Sequence, residues 1–78
     1  MLNKKFIYKF MTDKQLLKHV QKNVKKMDDN LSTAKFIKLA KDNIAVVNVI
    51  LKRNYDNEMV IRFADKQINK AINEQKHY

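Results

Sequence analysis

Glycine, proline, cysteine and tryptophan are all absent from the 78 residues. The lack of cysteine excludes disulfides, thiolate chemistry and cysteine-based metal sites. The lack of glycine excludes phosphate-cradling loops of the P-loop or dinucleotide type, which need backbone without a Cβ. Without proline and glycine there is no polyproline or collagen-like structure. Acidic residues are scarce: 8 stand against 17 Lys and Arg, for a net charge of +9. Apolar runs are short, the longest being Ile44–Val47 and Val49–Leu51, far below a membrane span. The lysines of Met1–Met11 lead into no apolar stretch, which argues against a signal peptide. A chain of this length allows one domain, 1–78, and no second lobe to close over a substrate. At 45% hydrophobic it is too apolar for a disordered basic tail. The expectation is a small, folded, basic, cytoplasmic protein.

The charge is placed unevenly. Residues 1–27 hold eight lysines against one acid, Asp13, a local charge of +7. Fifteen of the basic residues are Lys and two are Arg. Lys is a mobile point charge, while Arg carries the planar fork that reads guanine or grips phosphate bidentately. A lysine-rich surface therefore predicts attraction to a backbone, not base readout.

Phe6, Tyr8 and Phe10 alternate at period two, which predicts a strand over 4–10. Thr12 then opens a helix over 12–28. Thr12 and Gln15 have capping-box spacing, and Met11 and Leu16 occupy the positions of a hydrophobic staple. Asp13 complements the positive helix end. Leu16, Leu17, Val20, Val24 and Met27 form the apolar stripe, with Lys14, Lys18, Lys22, Lys25 and Lys26 on the other side.

Residues 31–65 admit two readings. One is a long helix, Thr33–Asn54, with Ile37, Ala40, Ile44, Val47 and Leu51 at heptad spacing. Against it, Ile44–Leu51 would be apolar nearly all round, and a small domain has little room to bury such a helix. The favoured reading is three strands, 34–41, 44–52 and 58–64. Asp42-Asn43 forms the first turn. The β-branched run supports the second strand, and the alternation Met59, Ile61, Phe63 supports the third. A closing helix over 65–76 follows, with Asp65 as its N-cap. The predicted fold is α+β, in the order β-α-β-β-β-α. A four-stranded sheet carries two helices on one face. A mostly α, three-helix fold is the alternative.

This order resembles the ribosome hibernation promoting factor family, the ribosome-associated inhibitors. The likeness lies in Thr12–Asp28, a lysine-faced helix that ends Lys26-Met27-Asp28. It continues in Val46–Lys52, similar to the family's central strand, and in Glu58–Phe63 followed by Ile68–Glu74, similar to its last strand and final helix. Two departures are the short final helix, with only Lys76 and His77 where the family has a dense basic run, and the missing turn glycines. The resemblance implies binding to rRNA of the small ribosomal subunit, in the channel of mRNA and tRNA. Translation is then blocked or idle ribosomes preserved. The RNA-binding residues it suggests are Lys18, Lys22, Lys25 and Lys26 on the first helix, Lys66 and Lys70 on the second, and Arg62 on the last strand. Phosphate neutralisation with counterion release supplies the affinity, and structured RNA is read by shape and backbone.

Each feature has a plainer reading. The lysine face is by default the solvated side of an amphipathic helix, yet like charges at i, i+4 destabilise it by a few tenths of a kcal/mol per pair. That cost favours a polyanionic partner. His19 and His77 lie far apart with no cysteine, so no metal site is expected. Asp28-Asp29, Glu58 and Glu74 read as turn and cap residues, not paired catalytic carboxylates. Ser32 and Thr33 have no identifiable activating base. Phe6, Tyr8 and Phe10 read as core before base-stacking platform. The expected function is thus non-enzymatic, with no cofactor and no catalytic residue. Two alternatives compete. One is a DNA-binding regulator with a helix over 33–42 carrying Lys35, Lys38 and Lys41, and Lys52-Arg53 as a wing. The other is an interaction protein that inhibits an acidic partner.

Overall fold

The computed structural model describes residues 7–28 and 30–76. Three helices account for most of them: α1 (Asp13–Lys26), α2 (Thr33–Arg53) and α3 (Glu58–Lys76). No strand occurs among the described residues. The predicted α+β sheet is therefore absent, and the architecture is all-α.

The first helix forms as its local signals dictate. The Thr12 hydroxyl accepts from the Gln15 amide at 3.2 Å, and the Gln15 side chain accepts from the Thr12 amide at 2.9 Å. Both halves of the capping box are thus closed. The helix stops at Lys26, before the predicted end at 28, and Met27 is its C-cap. Leu16, Val20 and Val24 are buried, Leu17 is half-buried against the same core, and Met27 is half-buried.

The strand predicted over 4–10 is overturned where it is described. Ile7 and Tyr8 are helical, and Lys9 and Phe10 turn. The Phe10 and Met11 amides donate back to the carbonyls of Ile7 and Tyr8 at 3.1 and 3.2 Å. Tyr8 is buried at 4% exposure, whereas Phe10 is 76% exposed, so the aromatic alternation marks no common face. Residues 4–6 of that strand lie outside the described residues.

The strands predicted over 34–41 and 44–52 are one helix. Ser32 is its N-cap, its hydroxyl accepting from the Lys35 amide at 3.3 Å. The objection to a long helix assumed that every apolar side chain must be buried. In fact only Val46 and Ile50 are buried on α2, and Ile37, Ile44 and Leu51 remain 40–61% exposed. Exposed apolar residues are ordinary on a protein surface. A two-residue hairpin at Asp42-Asn43 would need positive φ at one or both central residues, and among the described residues none has it. Val and Ile lose only a few tenths of a kcal/mol each in a helix, and no glycine or proline interrupts the segment.

The strand over 58–64 and the helix over 65–76 are likewise one element, α3. Its first turn is capped by Asn57, whose side-chain oxygen accepts from the Val60 amide at 3.4 Å. Asp65, read from sequence as a cap, sits mid-helix and accepts from Asn69 at 3.3 Å. Val60, Ile61, Ala64, Ile68, Ala71 and Ile72 keep the three-and-four helical spacing through the whole segment. Met59 and Phe63, two members of the apparent alternation, are 82% and 58% exposed.

The α1 helix is central. Both long helices pack on it, and they touch each other far less. The result is a slab of 37 × 34 × 15 Å. Leu16 and Val20 of α1 meet Val46 and Ile50 of α2 and Ala64 and Ala71 of α3 in one core. Burying each large apolar side chain contributes about 1.5–3 kcal/mol.

Candidate functional site

The central helix has three sides. One is apolar and buried. A second meets α2 through His19 and Asn23. His19 Nε2 lies 2.8 Å from an Asp42 carboxylate oxygen. Asn23 Nδ2 donates to Asp42 and to Asn43, each at 2.9 Å. The Tyr8 hydroxyl donates to the same carboxylate and lies 3.3 Å from His19 Nε2. Burial pushes the Tyr8 phenol up, and the adjacent Asp42 carboxylate adds to the shift. Burial pushes the Asp42 carboxyl up too, but hydrogen bonds from Tyr8, His19 and Asn23 outweigh it and hold the group below its usual value. His19 is a strut between two helices. Gln21 faces α3, its amide donating to the Gln67 carbonyl at 3.4 Å.

Lys14, Lys18, Lys22 and Lys25 take up the remaining side of α1, and Lys26 lies one step round. All five are exposed. Lys14 and Lys25 are separated by about 16 Å along the axis, from the helical rise. Lys25 and Lys26 stand in the last turn, where cations complement the helix dipole. Lys14, Lys18 and Lys22 have no such rationale. Asp13, the acid nearest to them, is turned away. One of its carboxylate oxygens takes Arg53 at 3.1 Å and the other takes Asn54 at 2.9 Å, both at the end of α2. Among the described residues no lysine enters an ion pair. The lysine face of α1 is therefore uncompensated.

The other three predicted RNA residues differ. Arg62, Lys66 and Lys70 line one shallow depression on α3, and Asp65 and Glu74 line it with them. Arg62 is also paired with Glu58 one turn earlier. That helix holds three carboxylates, Glu58, Asp65 and Glu74, against four cations, Arg62, Lys66, Lys70 and Lys76. The Gln21–Gln67 contact sets α1 beside α3, where acids and bases are interspersed, whereas the lysines of α1 stand together without an interleaved acid.

Arg53 was read from sequence as half of a wing. It closes the last turn of α2, and its guanidinium donates to the carbonyls of Tyr8, Lys9 and Met11 at 3.1, 2.8 and 2.6 Å. Sequence reasoning missed this clamp and the Asp42 cluster. A signal for the cluster was present: Asp42 and Asn43 share a helical face with Val46 and Ile50, and His19 and Asn23 stand at i, i+4 on α1.

Among the described residues, no three His, Cys, Asp or Glu come together as metal ligands. No helix among them is long and apolar enough to cross a membrane. The class defined by the fold is a small all-α protein with a basic central helix. Comparison with family models, curated proteins and solved structures finds no match to this chain.

Proposed function

We propose that the chain is a non-enzymatic, cytoplasmic RNA-binding module that holds the phosphate backbone on the lysine face of α1. The observation that carries this is the pairing of Asp13 with Arg53 and Asn54, which leaves Lys14, Lys18 and Lys22 as uncompensated like charges at i, i+4. The arrangement costs helix stability and is offset when phosphates neutralise it and counterions are released. Arg53 is tied into the fold, which removes a planar fork for reading guanine. Backbone and shape recognition of RNA needs no such fork. Arg62, Lys66 and Lys70 are left out of the interface because Arg62 is paired with Glu58 and the two lysines share their depression with Asp65 and Glu74.

The resemblance to the hibernation factors rested on an order of strands and helices that the fold lacks. It therefore lends no support to occupancy of the mRNA and tRNA channel. Small-subunit rRNA stands as one RNA among those to be tried. The experiment is fluorescence anisotropy with labelled RNA of several sequences, alongside co-sedimentation with small subunits, across a salt series. The expected result is binding that is insensitive to sequence and weakens steeply with salt. Absence of binding at low salt to every RNA would sink the proposal.

A further inference from the structure

The turn that precedes α1 is tied to α2 at two points. At one, the buried Tyr8 hydroxyl donates to Asp42 in the middle of the helix. At the other, Arg53 in the last turn of α2 donates to the carbonyls of Tyr8, Lys9 and Met11. About 16 Å of helix separates Asp42 from Arg53 at the helical rise. Within that span the Lys9 turn and α2 bound a groove of about 440 Å³, lined by Lys9, Ala45, Asn48, Val49, Lys52 and Arg53. Small-ligand sites occupy about 300–1,000 Å³. Ala45, Asn48, Val49 and Lys52 recur at steps of three and four, so one side of α2 forms the floor.

The lining is aliphatic and cationic. Ala45 and Val49 are half-buried, and the stems of Lys9 and Lys52 add aliphatic surface below their charged heads. Among the described residues, neither an acid nor an aromatic ring lines the groove. Arg53 is engaged by Asp13 and three carbonyls, which leaves no free planar fork to grip a phosphate. Lys9 and Lys52 enter no ion pair among the described residues. Lys52 stands in the last turn of α2, where a cation suits the helix dipole. Lys9 has no such role, and reaches the groove from a distant part of the sequence.

We propose that this groove binds a free aliphatic carboxylate of the fatty-acid class. Its chain lies along Ala45 and Val49, its carboxylate is held by Lys9 and Lys52, and the Asn48 amide is a further donor. Residues 1–6 of the chain itself would bring Lys4 and Lys5 against Lys9 and Lys52, a like-charge contact, so charge complementarity selects an anion from outside. The site uses none of the α1 lysines assigned to RNA, and the two readings are tested separately.

The probe is laurate, below its micelle concentration, titrated calorimetrically into the full chain at low salt. One saturable site is expected, with dodecanol and dodecyltrimethylammonium at least about fivefold weaker, since they lack the anion that the lysines hold. Lys9→Gln with Lys52→Gln is expected to weaken laurate by at least about fivefold. Lys66→Gln with Lys70→Gln on α3, which removes the same charge elsewhere, is expected to bind laurate as wild type does. Circular dichroism checks that both variants are folded. Absence of saturable laurate binding, dodecanol binding as tight as laurate, or equal losses in the two variants would each overturn the proposal.

Discussion

Asp13, the first residue of α1, receives the guanidinium of Arg53, the last residue of α2, at 3.1 Å. This contact fixes the relation between two helix ends and withdraws the acid from the lysine face. Arg53 also donates to the carbonyls of Tyr8, Lys9 and Met11, the first of which accepts from the Met11 amide as well. Arg53→Ala removes all of these bonds together. Its expected cost is about 1–3 kcal/mol, the range for hydrogen bonds to a charged group or carbonyls left unmade. Urea unfolding measures it, and an unchanged midpoint would contradict the assigned role.

The Asp42 cluster gives stability a defined pH dependence. Its folded value is depressed by hydrogen bonds from Tyr8, His19 and Asn23. An unfolded Asp titrates at about 3.9, so the unfolded chain takes up the proton first. The contribution is complete above that value and disappears as pH falls through the folded one. Asp42→Asn should therefore be less stable than wild type near neutrality, with the gap closing in strong acid. A gap that stays constant from neutral to acid would show that the carboxylate charge is not what the cluster uses.

Helix and strand readings of 44–64 predict opposite results at two sites. In the helical arrangement Ile50 is buried, and Ile50→Ala should cost about 2–5 kcal/mol. Met59 is 82% exposed, and Met59→Ala should stay within about 0.5 kcal/mol. The alternating strand would put Met59 on the core face with Ile61 and Phe63. Thermal or urea unfolding of the two variants decides the matter, and a large loss at Met59 would restore the strand.

The sequence showed α1 well because its signals are local: a closed capping box, a staple and a three-and-four apolar stripe, all within Met11–Met27. The middle of the chain was misread for equally physical reasons. Without glycine or proline there is no punctuation to separate elements. The β-branched run Ile44–Ile50 suits a strand, and a helix there leaves apolar residues in water that sequence alone assigns to a core. Asp42-Asn43 looked like a turn because its polar contacts, His19 and Asn23, lie on another helix. The basic face of α1 was legible, but its lack of compensation was not, since that depends on Arg53 reaching Asp13 from 40 residues away. The extension of that face onto α3 came with the resemblance, and the acids that stand beside Lys66 and Lys70 there, Asp65 and Glu74, count against it.

The proposed RNA contact lies on α1 and not on α3. The direct measurement compares RNA affinity at fixed low salt for two charge reversals: Lys18→Glu with Lys22→Glu and Lys25→Glu on α1, and Lys66→Glu with Lys70→Glu on α3. All five residues are exposed, so circular dichroism should report folded protein in both cases. The predicted result is loss of at least about tenfold in affinity and a shallower salt slope for the α1 variant, with the α3 variant reduced much less. Equal losses, or an α1 variant that binds like wild type, would contradict the account.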